Sequence, residues 1–132
     1  MVLVDTSVWI DVFRDGTGSR AQALRAALDG EEPVLSRFTE LELLQGCGDD
    51  RSWLTLREYL DAQAYVEMSS TSWADAARIH FDLRRRGRTV HSPIDCCIAQ
   101  LAIEHGIVLF HRDRDFTAIA DVSRLAEQYV TW

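Results

Sequence analysis

The sequence of 132 residues contains no lysine. All 14 of its basic side chains are arginine, set against 21 Asp and Glu, for a net charge of −7. A chain this acidic lacks the basic surface with which general nucleic-acid binders neutralise phosphates. It can still act on a polyanion if its acids are gathered in one place and masked by cations, so their position matters more than their sum. Cysteine is scarce too. Cys47, Cys96 and Cys97 make no disulfide framework, and no C-x-x-C pair suggests a zinc site. Buried thiols in a reducing cytoplasm are the expectation. No apolar run approaches the roughly 20 residues of a membrane span, and no signal peptide is read at the start. No G-x-G-x-x-G follows the first apolar run, which argues against a dinucleotide-binding fold. With no repeat, low-complexity stretch or linker, residues 1–132 read as one domain.

What is present is an alternation of short apolar strands and helices. Val2 to Asp5 reads as a buried strand, with Thr6 or Ser7 capping a helix to Arg14. Residues 15–19 (DGTGS) form a turn. A helix over 21–28 is stopped by Gly30, a strand follows at 33–36, and helices follow at 37–45 and 52–62. Residues 64–68 (AYVEM) alternate like a strand. Helices are predicted at 72–86 and 93–104, the latter ended by Gly106, then a strand at 107–110 and a helix at 113–120. A final edge strand is placed near 124–127. This order predicts an α/β fold: an α/β/α sandwich around a mostly parallel sheet of four to five strands.

In such sheets ligands bind outside the carboxyl ends of the strands. Asp5 ends the first strand, and Asp113 and Asp115 follow the strand at 107–110. Asp95 lies in the first turn of the helix leading into that strand, and Glu42 sits in the helix after the second strand. Each acid has a local explanation. Ser92 with Asp95, and Thr39 with Glu42, fit capping boxes; Asp113 fits a helix cap and Asp5 an Asx turn. Jointly these explanations leave out why the acids gather at one side. Converging carboxylates repel one another, and a hard divalent cation, Mg²⁺ or Mn²⁺, resolves the repulsion. Such an ion activates water and polarises a phosphoryl oxygen, the outline of a phosphodiester hydrolase.

Four segments, "VDTSVWID", "ELLQG", "SPIDCCIAQLA" and "HRDRDF", occur here in this order. Together they make the chain resemble the PIN-domain ribonucleases, in particular the VapC toxins of bacterial toxin–antitoxin pairs, over nearly its whole length. The resemblance implies a Mg²⁺- or Mn²⁺-dependent endoribonuclease with the catalytic acids at Asp5, Glu42, Asp95 and Asp113, and Asp115 as an auxiliary metal ligand. Asp5 and Asp95 would be the firmest ligands, with Glu42 binding through water or orienting the nucleophile. Glu40 is a rival to Glu42, but the family pattern puts the acid four residues before the glycine. The resemblance also implies an antitoxin that wraps the toxin with an amphipathic segment, a homodimer or toxin–antitoxin hetero-oligomer, and a transfer or ribosomal RNA substrate cut to 5′-phosphate and 3′-hydroxyl ends.

The remaining residues divide between function and structure. Thr6 or Ser7 would bond a metal-bound water or a substrate phosphate. Arg84, Arg85, Arg86 and Arg88 form the densest basic run, a phosphate rail or merely favourable charge at a helix C-terminus. Arg112 and Arg114 flank the acids and would clamp the RNA backbone or balance charge. His111 stands where relatives often have Ser or Thr, and a local hydrogen bond is its expected role. His91 reads as a solvated loop residue; His80 and His105 have no assigned role. Trp9, Phe13, Trp53 and Trp73 are candidates to line an antitoxin groove, though core packing is the expected fate of each. Two alternatives stand beside this reading. A haloacid dehalogenase-like phosphatase would also place an Asp after its first strand, but needs a second Asp two residues on, where this chain has Ser7, and a lysine. A non-catalytic RNA- or protein-binding scaffold would be signalled by loss of a site acid, and all four are present.

Overall fold

The computed structural model describes residues 1–90 and 92–132; His91 and the loop reading made for it lie outside them. The elements in chain order are β1 (Val2–Val4), α1 (Thr6–Arg14), α2 (Ser19–Leu28), β2 (Pro33–Val34), α3 (Arg37–Gln45) and α4 (Asp50–Asp61). They continue with α5 (Ser72–Arg85), α6 (Pro93–His105), β3 (Val108–His111), α7 (Arg114–Ala120) and β4 (Glu127–Tyr129). The strands form one parallel sheet in the order β2-β1-β3-β4. The α/β expectation holds, with four strands among the described residues.

Successive strand residues point to opposite faces, so each strand feeds two cores. Leu3 and Leu109, paired across β1 and β3, face a core built with Ile79 and Leu83 of α5, Ile98 and Leu101 of α6, and Phe116 and Ile119 of α7. Val2, Val4 and Phe110 face the other, with Val8 and Trp9 of α1, Leu24 and Leu28 of α2, Leu43 and Leu44 of α3, and Leu60 of α4. A parallel sheet covered on both faces explains why the central strands read as unbroken apolar runs.

The chain runs from β1 to β2 on one side of the sheet and later returns to β3 on the other. The carboxyl ends of β1 and β3 therefore meet at the switch of direction, where α/β sheets bind ligands. The Asp5 amide donates to the Phe110 carbonyl at 2.9 Å and locks the two ends together. On the helix that delivers Asp95, Pro93 opens the first turn, the Ser92 hydroxyl caps it, and Gly106 closes it at φ +63°.

Several local expectations are corrected. Asp5, not Thr6 or Ser7, caps α1. Its carboxylate accepts from the Ser7 amide, and a hydroxyl is not needed where the carboxylate already reaches. Residues 64–68 make no strand: only Tyr65 bridges to Leu35, because β2 is two residues long and offers no further ladder. Val66 alone is buried there, while Glu67 swings out to pair with Arg37 at 2.9 Å. The last strand lies at 127–129 rather than 124–127, since Leu125 is drawn into the core beside α7 before pairing with β3 begins. Of the four aromatic residues expected in the core, only Trp9 is buried; Phe13, Trp53 and Trp73 are 44, 42 and 55% exposed. The cysteines are free, with Cys96 buried and Cys47 and Cys97 half-buried.

Candidate functional site

Asp5 is 5% exposed, at the end of β1. Its Oδ2 accepts both the amide of Ser7 at 2.9 Å and the Ser7 hydroxyl at 2.5 Å. Burial raises the pKa of this carboxyl and the charge of Glu42 adds to the rise, against the lowering by the Ser7 hydrogen bonds.

Across from it, Asp95, Asp113 and Asp115 each offer a carboxylate oxygen, and the three oxygens lie within 4.8 Å of one another. All three residues are half-buried. Asp113 caps α7 through its Oδ1, which accepts the Asp115 amide at 2.9 Å, so its capping role and its place in the cluster coexist. Asp95 does not close a capping box: the Ser92 hydroxyl takes the Ile94 amide instead, and no hydrogen bond reaches the Asp95 carboxyl among the described residues. Its pKa is pushed up to about 7, first by burial and then by the charges of Asp5, Asp113, Asp115 and Glu42. Five acids from four segments of the chain thus act on one place.

Glu42 reaches the cluster through α3, whose cap is Ser36 rather than Thr39. Thr6 Oγ1 lies 2.9 Å from Glu42 Oε1 and 2.9 Å from Thr39 Oγ1. Both oxygens accept from Thr6, whose single hydroxyl proton is shared between the Glu42 carboxylate and the Thr39 hydroxyl. Both hydroxyls are buried, which fixes the glutamate. Glu40 is elsewhere, paired with Arg37 at 3.1 Å.

The other predicted site residues are placed as follows. The Ser7 hydroxyl is committed to Asp5. Arg112 directs its guanidinium to Asp11 at 2.7 Å and to the Val130 carbonyl at 2.5 Å. Arg114 is exposed, 5.5 Å from the Tyr129 ring. Arg84 is exposed at the end of α5, and Arg86 donates to the Asp121 carbonyl at 3.4 Å. Asp121 is the C-cap of α7 and Asp113 its N-cap, so Arg86 stands about 12 Å along that helix from the acids. His111 is fully buried, held by Glu127 and by the Asp113 amide, as its expected local bonding requires. Sequence reasoning missed Asp11 and Glu127. Neither carries a local signal, because each meets its partner only in the fold.

Beside Glu42 a groove of about 800 Å³ runs between α1, α3 and α4. Phe13, Leu43, Leu56 and Tyr59 line it together with Arg14 and Arg51. Neither arginine forms an ion pair among the described residues.

A profile of the PIN domain matches residues 2–122. The chain is 38% identical over 129 residues to a VapC ribonuclease of Mycobacterium bovis, covering 95% of this chain and 96% of the relative. The chain belongs to the PIN-domain family, among the VapC ribonucleases. A second relative, ribonuclease VapC21 of Mycobacterium tuberculosis, is 33% identical over 127 residues, with 84% of this chain and 90% of the relative covered. Among solved structures this PIN domain is similar in fold to VapBC-1 from nontypeable Haemophilus influenzae, at a TM-score of 0.81, 20% identity and full coverage of both chains. It is also similar to FitAcB from Neisseria gonorrhoeae, at a TM-score of 0.75 and 23% identity over 98% of this chain and 97% of the other.

Proposed function

We propose that the chain is a divalent-metal-dependent endoribonuclease, the toxin of a toxin–antitoxin pair, acting as one nuclease domain in the cytoplasm. The observation that supports the metal reading is Asp95: a half-buried carboxyl with no hydrogen bond among the described residues, its pKa raised by burial and by the charges of four other acids. Such a site is unfavourable without a cation, and its all-oxygen donors suit Mg²⁺ or Mn²⁺. Asp5, Asp95 and Asp113 would hold the ion, with Asp115 beside them and Glu42 reaching it through water. A bound divalent ion supplies positive charge for the phosphoryl oxygens and a more acidic water.

The protein's own groups do the rest. Ser7 and the buried strand end hold Asp5 in one rotation. Thr6 aims Glu42, which orients the attacking water. His111 has both ring nitrogens engaged, so it is not free to draw a proton from a ribose 2′-hydroxyl. The proposed step is direct in-line hydrolysis: water adds to phosphorus, the bond to the 3′ oxygen breaks, and that oxygen takes a proton from solvent, leaving 5′-phosphate and 3′-hydroxyl ends. Transfer RNA and ribosomal RNA are the proposed substrates, with the exposed Arg114 and Arg84 as backbone contacts. The groove beside Glu42 suits an antitoxin segment whose apolar side chains meet Phe13 and Tyr59 and whose acids meet Arg14 and Arg51.

The test is to incubate antitoxin-free protein with total cellular RNA in Mg²⁺ or Mn²⁺, beside tubes with EDTA and with the Asp5→Asn variant. Discrete cuts with 5′-phosphates, lost in both controls, are expected. Cleavage that survives EDTA, or fragments ending in cyclic phosphate, would overturn the mechanism.

A further inference from the structure

Arg112 lies between His111 and Asp113, yet its side chain is spent away from the acids. Its Nε donates to Asp11 Oδ2 at 2.7 Å and its Nη1 to the Val130 carbonyl at 2.5 Å. The guanidinium carbon sits 5.5 Å from the Tyr129 ring and 5.3 Å from the Trp132 ring. Trp132 Nε1 donates to the same Asp11 oxygen at 3.0 Å, and Arg20 approaches it at 4.0 Å. An isolated exposed ion pair fixes little. Here two donors converge on one carboxylate oxygen and two aromatic rings flank the cation, so the guanidinium has one place to be.

The backbone of the same residue faces the active-site side. The Arg112 amide donates to Ser7 Oγ at 2.9 Å, and the Ser7 hydroxyl gives its proton to Asp5 Oδ2 at 2.5 Å. Two hydrogen-bonded runs therefore meet at Arg112, Trp132 to Asp11 to the guanidinium and the amide to Ser7 to Asp5, joined through the residue's own covalent side chain. Together they join the segment after β4 to the strand end of β1.

We propose that Arg112 is a positioning residue: the clasp of Asp11, Val130, Tyr129 and Trp132 on its side chain fixes its amide, and the amide, through Ser7, sets the rotation of the Asp5 carboxylate. This rests on the metal-dependent reading above. Groups behind a metal ligand orient it, and their loss commonly weakens the metal site about 10- to 100-fold. The role differs from that of a substrate clamp, which would show itself in RNA affinity.

Mn²⁺ binding is measured by titration calorimetry on the purified protein, with kcat and KM for an RNA substrate alongside. Arg112→Met keeps the apolar stem and removes the fork. It is expected to weaken Mn²⁺ binding at least about tenfold and to lower kcat with KM nearly unchanged. Asp11→Asn and Trp132→Phe shift both quantities the same way by smaller factors, and Arg112→Lys, which keeps charge without the fork, restores only part. Should Arg112→Met fail to fold, as judged by circular dichroism, the Asp11→Asn and Trp132→Phe pair decides. Folded clasp variants that bind Mn²⁺ like the wild type overturn the proposal, as does a loss confined to KM. A wild-type protein that binds no Mn²⁺, or binds it equally well as Asp5→Asn, overturns the metal-dependent reading and this proposal with it.

Discussion

The buried ring of His111 accepts the backbone amide of Asp113 at Nδ1, 3.2 Å away. An amide can only donate, so Nδ1 carries no proton and Nε2 donates to Glu127 Oε2 at 2.5 Å. The ring also packs against Phe116 and Tyr129, at centroid distances of 5.1 and 5.6 Å. One imidazole thus joins β3, β4 and the loop that carries Asp113. His111→Phe keeps a ring but leaves the Glu127 carboxylate and the Asp113 amide without partners. It should lower the stability by about 1–3 kcal/mol in urea unfolding, whereas Glu127→Gln, whose amide oxygen still accepts, should cost less. An undiminished His111→Phe variant would show that the pair is incidental.

Asp95 makes the stability of the metal-free protein depend on pH. Its pKa rises from 3.8 to about 7 in the folded chain. Between those values the folded state holds a proton that the unfolded state has released, so stability falls as pH rises through this window. Mg²⁺ stabilises the ionised form and should remove the slope. Urea midpoints in EDTA at pH 5 and pH 8 should therefore differ, with pH 8 the weaker apart from other titrations, and Mg²⁺ should narrow the gap. Asp95→Asn should flatten the slope and stabilise the metal-free protein at pH 8. A slope equal to wild type in Asp95→Asn would place its origin elsewhere.

The parts of the fold that were legible are those in which one residue's chemistry decides local structure. Unbroken apolar runs at β1 and β3 announced buried parallel strands, and the acids just past them marked the strand exits. Ser92, Pro93 and Gly106 bounded α6. What stayed hidden depends on partners far along the chain. The strand at 127–129 carries Glu and Gln at an edge and shows no apolar pattern; its pairing with β3 alone defines it. The apparent alternation at 64–68 had no long strand to pair with. At the site, the convergence of Asp5 and Asp113 could be anticipated from strand ends, and that of Asp95 from its place in the first turn of the helix leading into β3. The contacts of Thr6 with Glu42 and of Arg112 with Asp11 span 36 and 101 residues and follow from packing alone.

Thr6 tests whether Glu42 must be aimed. Thr6→Val has nearly the same shape but removes the hydroxyl that bridges Thr39 and Glu42. The buried Thr39 hydroxyl then loses a partner, at a cost of about 1 kcal/mol. Cleavage should fall about tenfold, while Thr6→Ser, which keeps the hydroxyl, retains most of it. The comparison is made at saturating Mg²⁺ on folded protein. Equal rates for Val and Ser would mean that Glu42 holds its place unaided.

If an antitoxin segment fills the groove between α1 and α4, as proposed, inhibition can be changed there without changing catalysis. Phe13 is 44% exposed in its wall, stacks on Trp9 at 5.7 Å, and is not one of the acids or their hydrogen-bonding partners. An apolar anchor at the centre of an interface commonly contributes about 2 kcal/mol or more to binding. Phe13→Ser should therefore weaken the antitoxin complex by about 30-fold or more, while RNA cleavage by the free toxin stays near wild type. Arg51→Glu, on the same wall, should weaken the complex further if acidic side chains meet it. Both are read by titrating purified toxin with its antitoxin. Unchanged antitoxin affinity in both variants would move the partner to another face, and a parallel loss of cleavage would mean that the groove serves the RNA instead.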